Sequence, residues 1–274
     1  FKCSAPRAQA AAGAISVTGE PDADPIKPGP TIADTGTGMQ TALAVTAAWA
    51  QLQRTGQGQL IELSMQEVMT MFMRTAGVSD WAQRPAVRRG NRGGAPTGMY
   101  PCAPGGPNDY IYIHVATSRL WDQLCTGMER HDLLIDERFQ TGRLRMQNAD
   151  VLREEIAKWT TQHTKHEAMQ LLGKAGAAVS AVFDTMDVFN DPHLKVRGFI
   201  EQVEHPAEGT VTLMKSPIRM SQSEVPLQPA PTLGGNTDEV LAGELGLGES
   251  EIEELHRQAV VYSRSRQSDT VIAG

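Results

Sequence analysis

Two stretches of the sequence hold residue types that could do chemistry. The first is Ile32-Ala-Asp34-Thr-Gly36-Thr-Gly38. A carboxylate placed just ahead of a helix meets unpaired N–H groups and a favourable dipole, so Asp34 reads as a cap. Two glycines within four residues also leave room for a ligand to come close, and both readings stay open. The second runs from Arg84 to Pro96 and contains Arg84, Arg88, Arg89 and Arg92 beside Gly90, Gly93 and Gly94. Trp81 to Asn108 holds no acid, which makes a concentrated positive patch on a chain of net charge −7. Guanidinium forks match carboxylate and phosphate oxygens. Gly93 and Gly94 would let backbone N–H groups approach a ligand or let a loop swing over a site. A solvated basic loop paired with acids elsewhere is the plainer alternative.

Other candidates are weaker. Gly56-Gln-Gly58 reads as a helix stop, because it lacks the strand–GxGxxG–helix context of a phosphate loop. His163 and His166 with Glu167 have no third committed ligand and read as surface, so no metal site is expected. His114 reads as an ordinary strand residue, and Cys102 and Cys125 as small buried hydrophobes. The serines show no G-x-S-x-G elbow. From the residues alone, the chain is an enzyme or binding protein for an acidic ligand.

The elements that must position these residues are partly legible. Pro- and Gly-rich residues 19–38 suggest a strap over a surface. An alanine-rich helix is expected from Met39 to Arg54, closely packed and stopped by Gly56. A short strand, Leu60 to Leu63, follows. Ser64/Glu67 form a capping box opening a methionine-rich helix through Met65, Met69, Met71 and Met73, and the signature recurs at Thr164/Glu167 and Ser250/Glu253. Tyr110 to Val115 is the clearest strand; Ala177–Phe183, Phe199–Val203 and Thr210–Leu213 are fainter. Helical patterns lie at 118–127, 150–162, 164–175, 237–246 and 250–260, and Pro217 to Pro231 reads as extended.

Composition limits the classes. The 274 residues, 40% apolar and 21% charged, suit one large or two ordinary folded domains. The acidic balance disfavours nucleic acid and anionic membranes as partners. No apolar run approaches the ~20 residues of a membrane span. The three cysteines, none in C-x-x-C spacing, point to a reducing compartment, and a cytoplasmic location is expected. The chain opens on Phe1, in what reads like the interior of a domain, so a fragment lacking its N-terminal part is expected.

Several segments, in order, resemble the family III CoA-transferases of CaiB/BaiF type, the group typified by formyl-CoA:oxalate CoA-transferase. They are Ala8-Gln-Ala10 with Gly13, Ser16 to Asp22, Pro28-Gly with Ile32-Ala-Asp34 and Gly38, and Arg54 to Gln59 with Glu62 to Glu67. Gly90-Asn91 with Gly93-Gly94, Asp191-Pro-His with Arg197-Gly198, and Leu233-Gly234 complete the set. The resemblance covers about 4 to 260. It implies an α/β fold, with an incomplete Rossmann-like large domain, a smaller α/β domain and two interlocked subunits. Residues 1–75 would belong to the large domain and linker, 76–190 to the small domain, and 191–274 to a linker and the return to the large domain.

The resemblance implies transfer of CoA between an acyl-CoA and a small carboxylic acid, with coenzyme A as substrate and no tightly bound cofactor. Asp34 matches the family nucleophile and Gly93 and Gly94 the glycine loop. Gln9, Arg89 and Arg92 are the expected substrate contacts. Ala95-Pro96 stands where formyl-CoA transferases continue with glycine and glutamine, so oxalate is not implied as the acceptor. An acyl-CoA racemase of the same fold is the alternative enzyme, but the histidine of its His/Asp pair falls at Ser4. A non-catalytic relative acting as a structural partner is the other alternative.

Overall fold

The computed structural model describes residues 4–73, 83–223 and 225–264. Cys3, Trp81 and the start of the expected 76–190 lobe lie outside the described residues. The chain divides into two units, 1–182 and 183–274. Both mix helices with antiparallel strands, an α/β architecture.

In the first unit, α1 (Ala5–Ala11), α2 (Ile32–Thr55) and α3 (Met65–Phe72) form a helical cluster. Its small core is Ala5, Ala8, Ala14, Ala33 and Met69. Small side chains let the helix axes approach, and Gly36 carries this furthest, because a Cβ there would lie 2.3 Å from Cε2 of Phe72. Helix α2 ends at Gly56, whose φ of 71° is the left-handed stop expected of it.

Three expectations need correction here. Helix α2 begins at Ile32, not Met39, so Asp34 lies inside its first turn. The low propensity of the Thr-Gly-Thr-Gly run is overridden by burial of Ala33 and Gly36 against α1 and α3. The alanines beyond residue 40 do not mark close packing, since Ala33 and Gly36 are the residues of α2 that are buried. Leu60 to Leu63 is not a strand; among the described residues none pairs with it in a ladder, and Leu60 is 84% exposed.

The rest of this unit is a four-stranded antiparallel sheet in the order β1-β2-β3-β4, made by β1 (Arg92–Gly94), β2 (Thr97–Pro101), β3 (Tyr110–His114) and β4 (Ala178–Ala181). Register is fixed by Gly98 opposite Ile113 and by Ile113 opposite Val179. Ile111 and Ile113 point to the buried face while Tyr112 is exposed, the period-2 alternation of a one-sided sheet. Helices α4 (Ser118–Gly127), α5 (Asp132–Ile135), α6 (Gly142–Gln147), α7 (Ala149–Thr160) and α8 (Lys165–Lys174) supply the rest. Helix α7 packs against β2 and α8 against β3 and β4. The core holds Ile111, Ile113, Trp121, Leu124, Phe139, Leu152, Ile156 and Leu172. Each such side chain contributes roughly 1.5–3 kcal/mol on burial.

The second unit contains α9 (Thr185–Asn190), α10 (Pro192–Val196), a β5–β6 hairpin (Ile200–His205 with Gly209–Met214), α11 (Thr237–Gly243) and α12 (Glu249–Arg257). Asp191 caps α10, accepting from the Leu194 N–H at 2.8 Å, with Pro192 in the first helical position. The Thr164/Glu167 box is complete, but the expected Ser250/Glu253 box is corrected by two residues. Glu251 instead reaches back to the Gly248 N–H at 2.8 Å, and α12 starts at Glu249. At Ser64 only one arm forms, from the Glu67 N–H.

Candidate functional site

Asp34 is exposed on the first turn of α2, two residues after the helix opens. Thr31, the N-cap, supplies no side-chain bond, and the Ile32 N–H is taken by the Pro30 carbonyl at 2.9 Å, so among the described residues the N–H groups of Ala33 and Asp34 are those of this turn left to face an anion. Among the described residues no side chain hydrogen-bonds the Asp34 carboxylate. The turn is held from behind: Ala33 is fully buried, and Gly36 closes against Phe72. Gly38 has open space around it.

Gln9, an expected substrate contact, is 2% exposed and lies in the helical cluster. Its Nε2 donates to the Pro30 carbonyl at 3.2 Å, and among the described residues its Oε1 finds no donor. The structure thus places Gln9 beneath the strap that feeds α2, tying down the residues just before Asp34.

The glycine turn lies at the β1–β2 hairpin. Gly94 opposes Thr97 and has a φ of +101°, which favours glycine; a Cβ would also meet Met146 Sδ at 3.0 Å. Gly93 is on the same strand, and the side chain of Arg92 lies outside what is described. Below the turn, Gly98 approaches so closely that a Cβ would fall 2.7 Å from the Asn91 carbonyl and 2.8 Å from Arg153 Nη1. Arg153 stacks on Tyr100 at 4.9 Å and donates to the Met99 carbonyl at 3.0 Å. Burial pushes the Tyr100 phenol up to about 12, against the opposing pull of the Arg153 charge. Its hydroxyl donates to the Pro96 carbonyl at 2.6 Å, fixing the far side of the same turn.

Arg88 and Arg89 differ in what holds them. Arg89 is exposed and stands available to an anion. Arg88 is engaged by the chain itself: it donates from Nη2 to the Ala23 carbonyl at 2.6 Å and from Nε to the Glu20 carbonyl at 3.1 Å. The Glu20 carboxylate in turn accepts from the Asn91 N–H at 3.1 Å. Phe72 and Arg153 were not singled out by sequence. Arg88 stood in the arginine run and Glu20 in the Ser16 to Asp22 segment, but nothing marked them as neighbours, because carbonyl acceptors leave no mark in a sequence.

Cys102 and Cys125 are buried, as expected. Burial first, and then the nearby carboxylates Asp109 and Asp122 respectively, push their thiols up to about 11 and about 12. They are inert spacers rather than nucleophiles. His163 stacks on Trp159 with ring centroids 4.1 Å apart. Among the described residues no group of three His, Cys, Asp or Glu side chains is arranged to hold a metal. A cavity of about 210 Å³ beside α3 is lined by Gln40, Glu62, Ser64 and Glu67 and does not include Asp34. The structure therefore places Asp34 and the Gly93–Gly94 turn in one unit, on separate elements, joined through the 16–23 strap and Arg88.

The sequence model of the family described as "CoA-transferase family III" matches residues 5–237. A formyl-CoA:oxalate CoA-transferase of Streptomyces coelicolor is 31% identical over 277 residues, covering 95% of this chain and 67% of its own length. The corresponding Streptomyces avermitilis protein is 30% identical, covering 95% and 68%. A CaiB/BaiF family protein from Brucella suis superposes with a TM-score of 0.73 at 27% identity, covering 86% of this chain and 61% of that one. A Mycobacterium tuberculosis protein at 22% identity has a TM-score of 0.72 over 87% of this chain and 63% of its own, and shows the fold. The chain spans about two thirds of the length of the curated relatives it matches.

Proposed function

The chain belongs to CoA-transferase family III, and from that premise we propose that it takes part in moving coenzyme A from an acyl-CoA to a small carboxylic acid, with Asp34 as the nucleophile. The observation that carries the reading is the placement of Asp34. It is exposed on a helix N-terminal turn whose other face is buried, on the motif that resembles the family's G/A-Asp-x-x-x-Gly.

In the reaction, an Asp34 oxygen attacks the acyl-CoA carbonyl carbon, the C–S bond breaks, and CoA leaves as thiolate. The result is a mixed anhydride. The thiolate then attacks the Asp34 carbonyl carbon, releasing the donor acid and leaving CoA on Asp34 as a thioester. The acceptor carboxylate attacks that thioester to give a second anhydride and free thiolate. Attack of the thiolate on the acceptor's carbonyl carbon yields the new acyl-CoA and restores the Asp34 carboxylate. Every step passes through a tetrahedral oxyanion, and unpaired N–H groups at a helix start are suited to stabilise one. Each intermediate is destroyed by water, so a cover is needed. Gly93 and Gly94 are assigned that role, with Arg89 and Arg92 as contacts for CoA phosphates or the acid. Gln9 acts through its hold on Pro30 rather than by touching substrate.

The proposal includes an interlocked homodimer, a cytoplasmic location, and the division into residues 1–75, 76–190 and 191–274. The chemistry is tested by following acyl-CoA exchange with a panel of carboxylic acids, using the natural polypeptide and its Asp34→Ala variant. Exchange that survives in the variant overturns it.

A further inference from the structure

The strap that leads to Asp34 and the hairpin that carries the glycine turn are far apart in sequence, yet one cluster of contacts joins them. Arg88 faces a ring of backbone oxygens. Besides the Ala23 and Glu20 carbonyls, its Nη1 donates to Ser16 at 3.4 Å and its Nη2 to Pro21 at 3.5 Å. The strap they belong to is closed on itself, since the Ile26 N–H donates to the Thr18 carbonyl at 2.9 Å. The Glu20 carboxylate returns across the junction to the Asn91 N–H, and the Asn91 carbonyl accepts from Met99 at the base of the hairpin. Gly90 sits between, at φ +55°, where a Cβ would lie 2.4 Å from Glu20 Oε2. A guanidinium presents its donors in a rigid planar fork, so several carbonyls bound to one Arg fix orientation as well as distance.

We propose that Arg88 and Glu20 are positioning residues: together they latch the β1 hairpin to the strap entering α2 and so set the Gly93–Gly94 turn relative to Asp34. The inference rests on the reading of Asp34 as nucleophile. Its consequence is chemical. The thioester on Asp34 has two fates. An acceptor carboxylate can attack it, passing CoA onward. Alternatively a water oxygen can attack the Asp34 carbonyl carbon, the C–S bond breaks, CoA leaves as the thiol, and Asp34 returns as a carboxylate with release of a proton. A cover held in register favours the first fate, because it excludes water while leaving the acid bound.

The experiment measures how consumed acyl-CoA partitions between acceptor-CoA and free CoA thiol. It uses the natural polypeptide and its Arg88→Ala, Arg88→Lys, Glu20→Gln and Gly90→Ala variants. Arg88→Ala and Gly90→Ala are expected to raise the ratio of free thiol to transfer product by about tenfold, the scale of a small misplacement in a catalytic assembly. Lys retains the charge but not the fork, so Arg88→Lys falls between. Glu20→Gln keeps an oxygen acceptor for Asn91 and stays nearest to wild type. Combining Arg88→Ala with Gly90→Ala adds little to either alone, because both open one latch.

A purely structural role lowers both fates by the same factor. An unchanged ratio in Arg88→Ala and Gly90→Ala overturns the latch, and should Arg88→Ala fail to fold, an unchanged ratio in Arg88→Lys, which keeps the charge but not the fork, overturns it as well. Asp34→Ala separates the two ideas. If it exchanges CoA normally, the nucleophile reading fails; if it is inactive while the partition ratio ignores Arg88, only the latch fails.

Discussion

At the scale of single residues, Asp34 and the groups behind it carry the account. Asp34→Ala is predicted to lower exchange by up to about 10⁶-fold, the loss seen when a covalent nucleophile is removed, with little change in thermal stability because the side chain is exposed. Activity assays beside a thermal melt check both halves. Gly36→Ala is predicted to do the reverse in part, since the new methyl must displace the Phe72 ring. Overpacking of this kind costs about 1–3 kcal/mol, and a denaturant titration reads it directly. Asp34, the proposed nucleophile, stood out in the sequence by its spacing to Gly36 and Gly38, but the sequence left it ahead of the helix. The burial of Ala33 and the fit of Gly36 to Phe72 draw the helix start back to Ile32, and no local propensity announces such a contact.

At the scale of elements, those whose stability is local were read well. Helix α4 runs from Ser118 to Gly127 as its pattern required, opened by Thr117, whose hydroxyl accepts from the Leu120 N–H at 3.3 Å. Strand β3 follows from its alternation of β-branched and aromatic residues. Helix α8 has both arms of its capping box, Thr164 with Glu167. Thr164→Ala is predicted to lower stability by about 1 kcal/mol, measurable by urea unfolding. Elements that depend on partners were read poorly. Leu60–Leu63 has strand composition but, among the described residues, no strand beside it, and composition alone does not make a ladder. The β1–β2 hairpin was legible only as glycines. Gly98→Ala is predicted to disturb it more than Gly94→Ala. At Gly98 the Cβ meets a backbone carbonyl that cannot turn away, whereas at Gly94 it meets a flexible methionine. Thermal melts of the two variants order them.

At the scale of the whole molecule, pH and surface come into play. Buried Cys102, Cys125 and Tyr100 have folded-state values raised to about 11, 12 and 12, above ordinary values of 9.0, 9.0 and 10.0. A raised value favours folding while the group stays neutral. The contribution is therefore complete below about pH 9 and is lost as pH climbs through the folded values. Denaturant midpoints are predicted to fall between about pH 9 and 11, and less so in a Cys125→Ala variant whose other cost is compared at pH 7. Surface apolar residues speak to assembly. Helix α2 leaves Met39, Leu43 and Trp49 more than 60% exposed, with Met39 and Leu43 one turn apart on the same face. The proposed dimer predicts that two differently tagged copies of the natural polypeptide co-purify when co-expressed.

The most direct test of the central claim is chemical. The natural polypeptide is incubated with acyl-CoA, quenched, digested and analysed by mass spectrometry, with hydroxylamine treatment in parallel. The account predicts a CoA adduct on the peptide containing Asp34 that hydroxylamine converts to a hydroxamate at the same residue. An adduct mapped to any other carboxylate, or steady exchange with Asp34 unmodified, contradicts it.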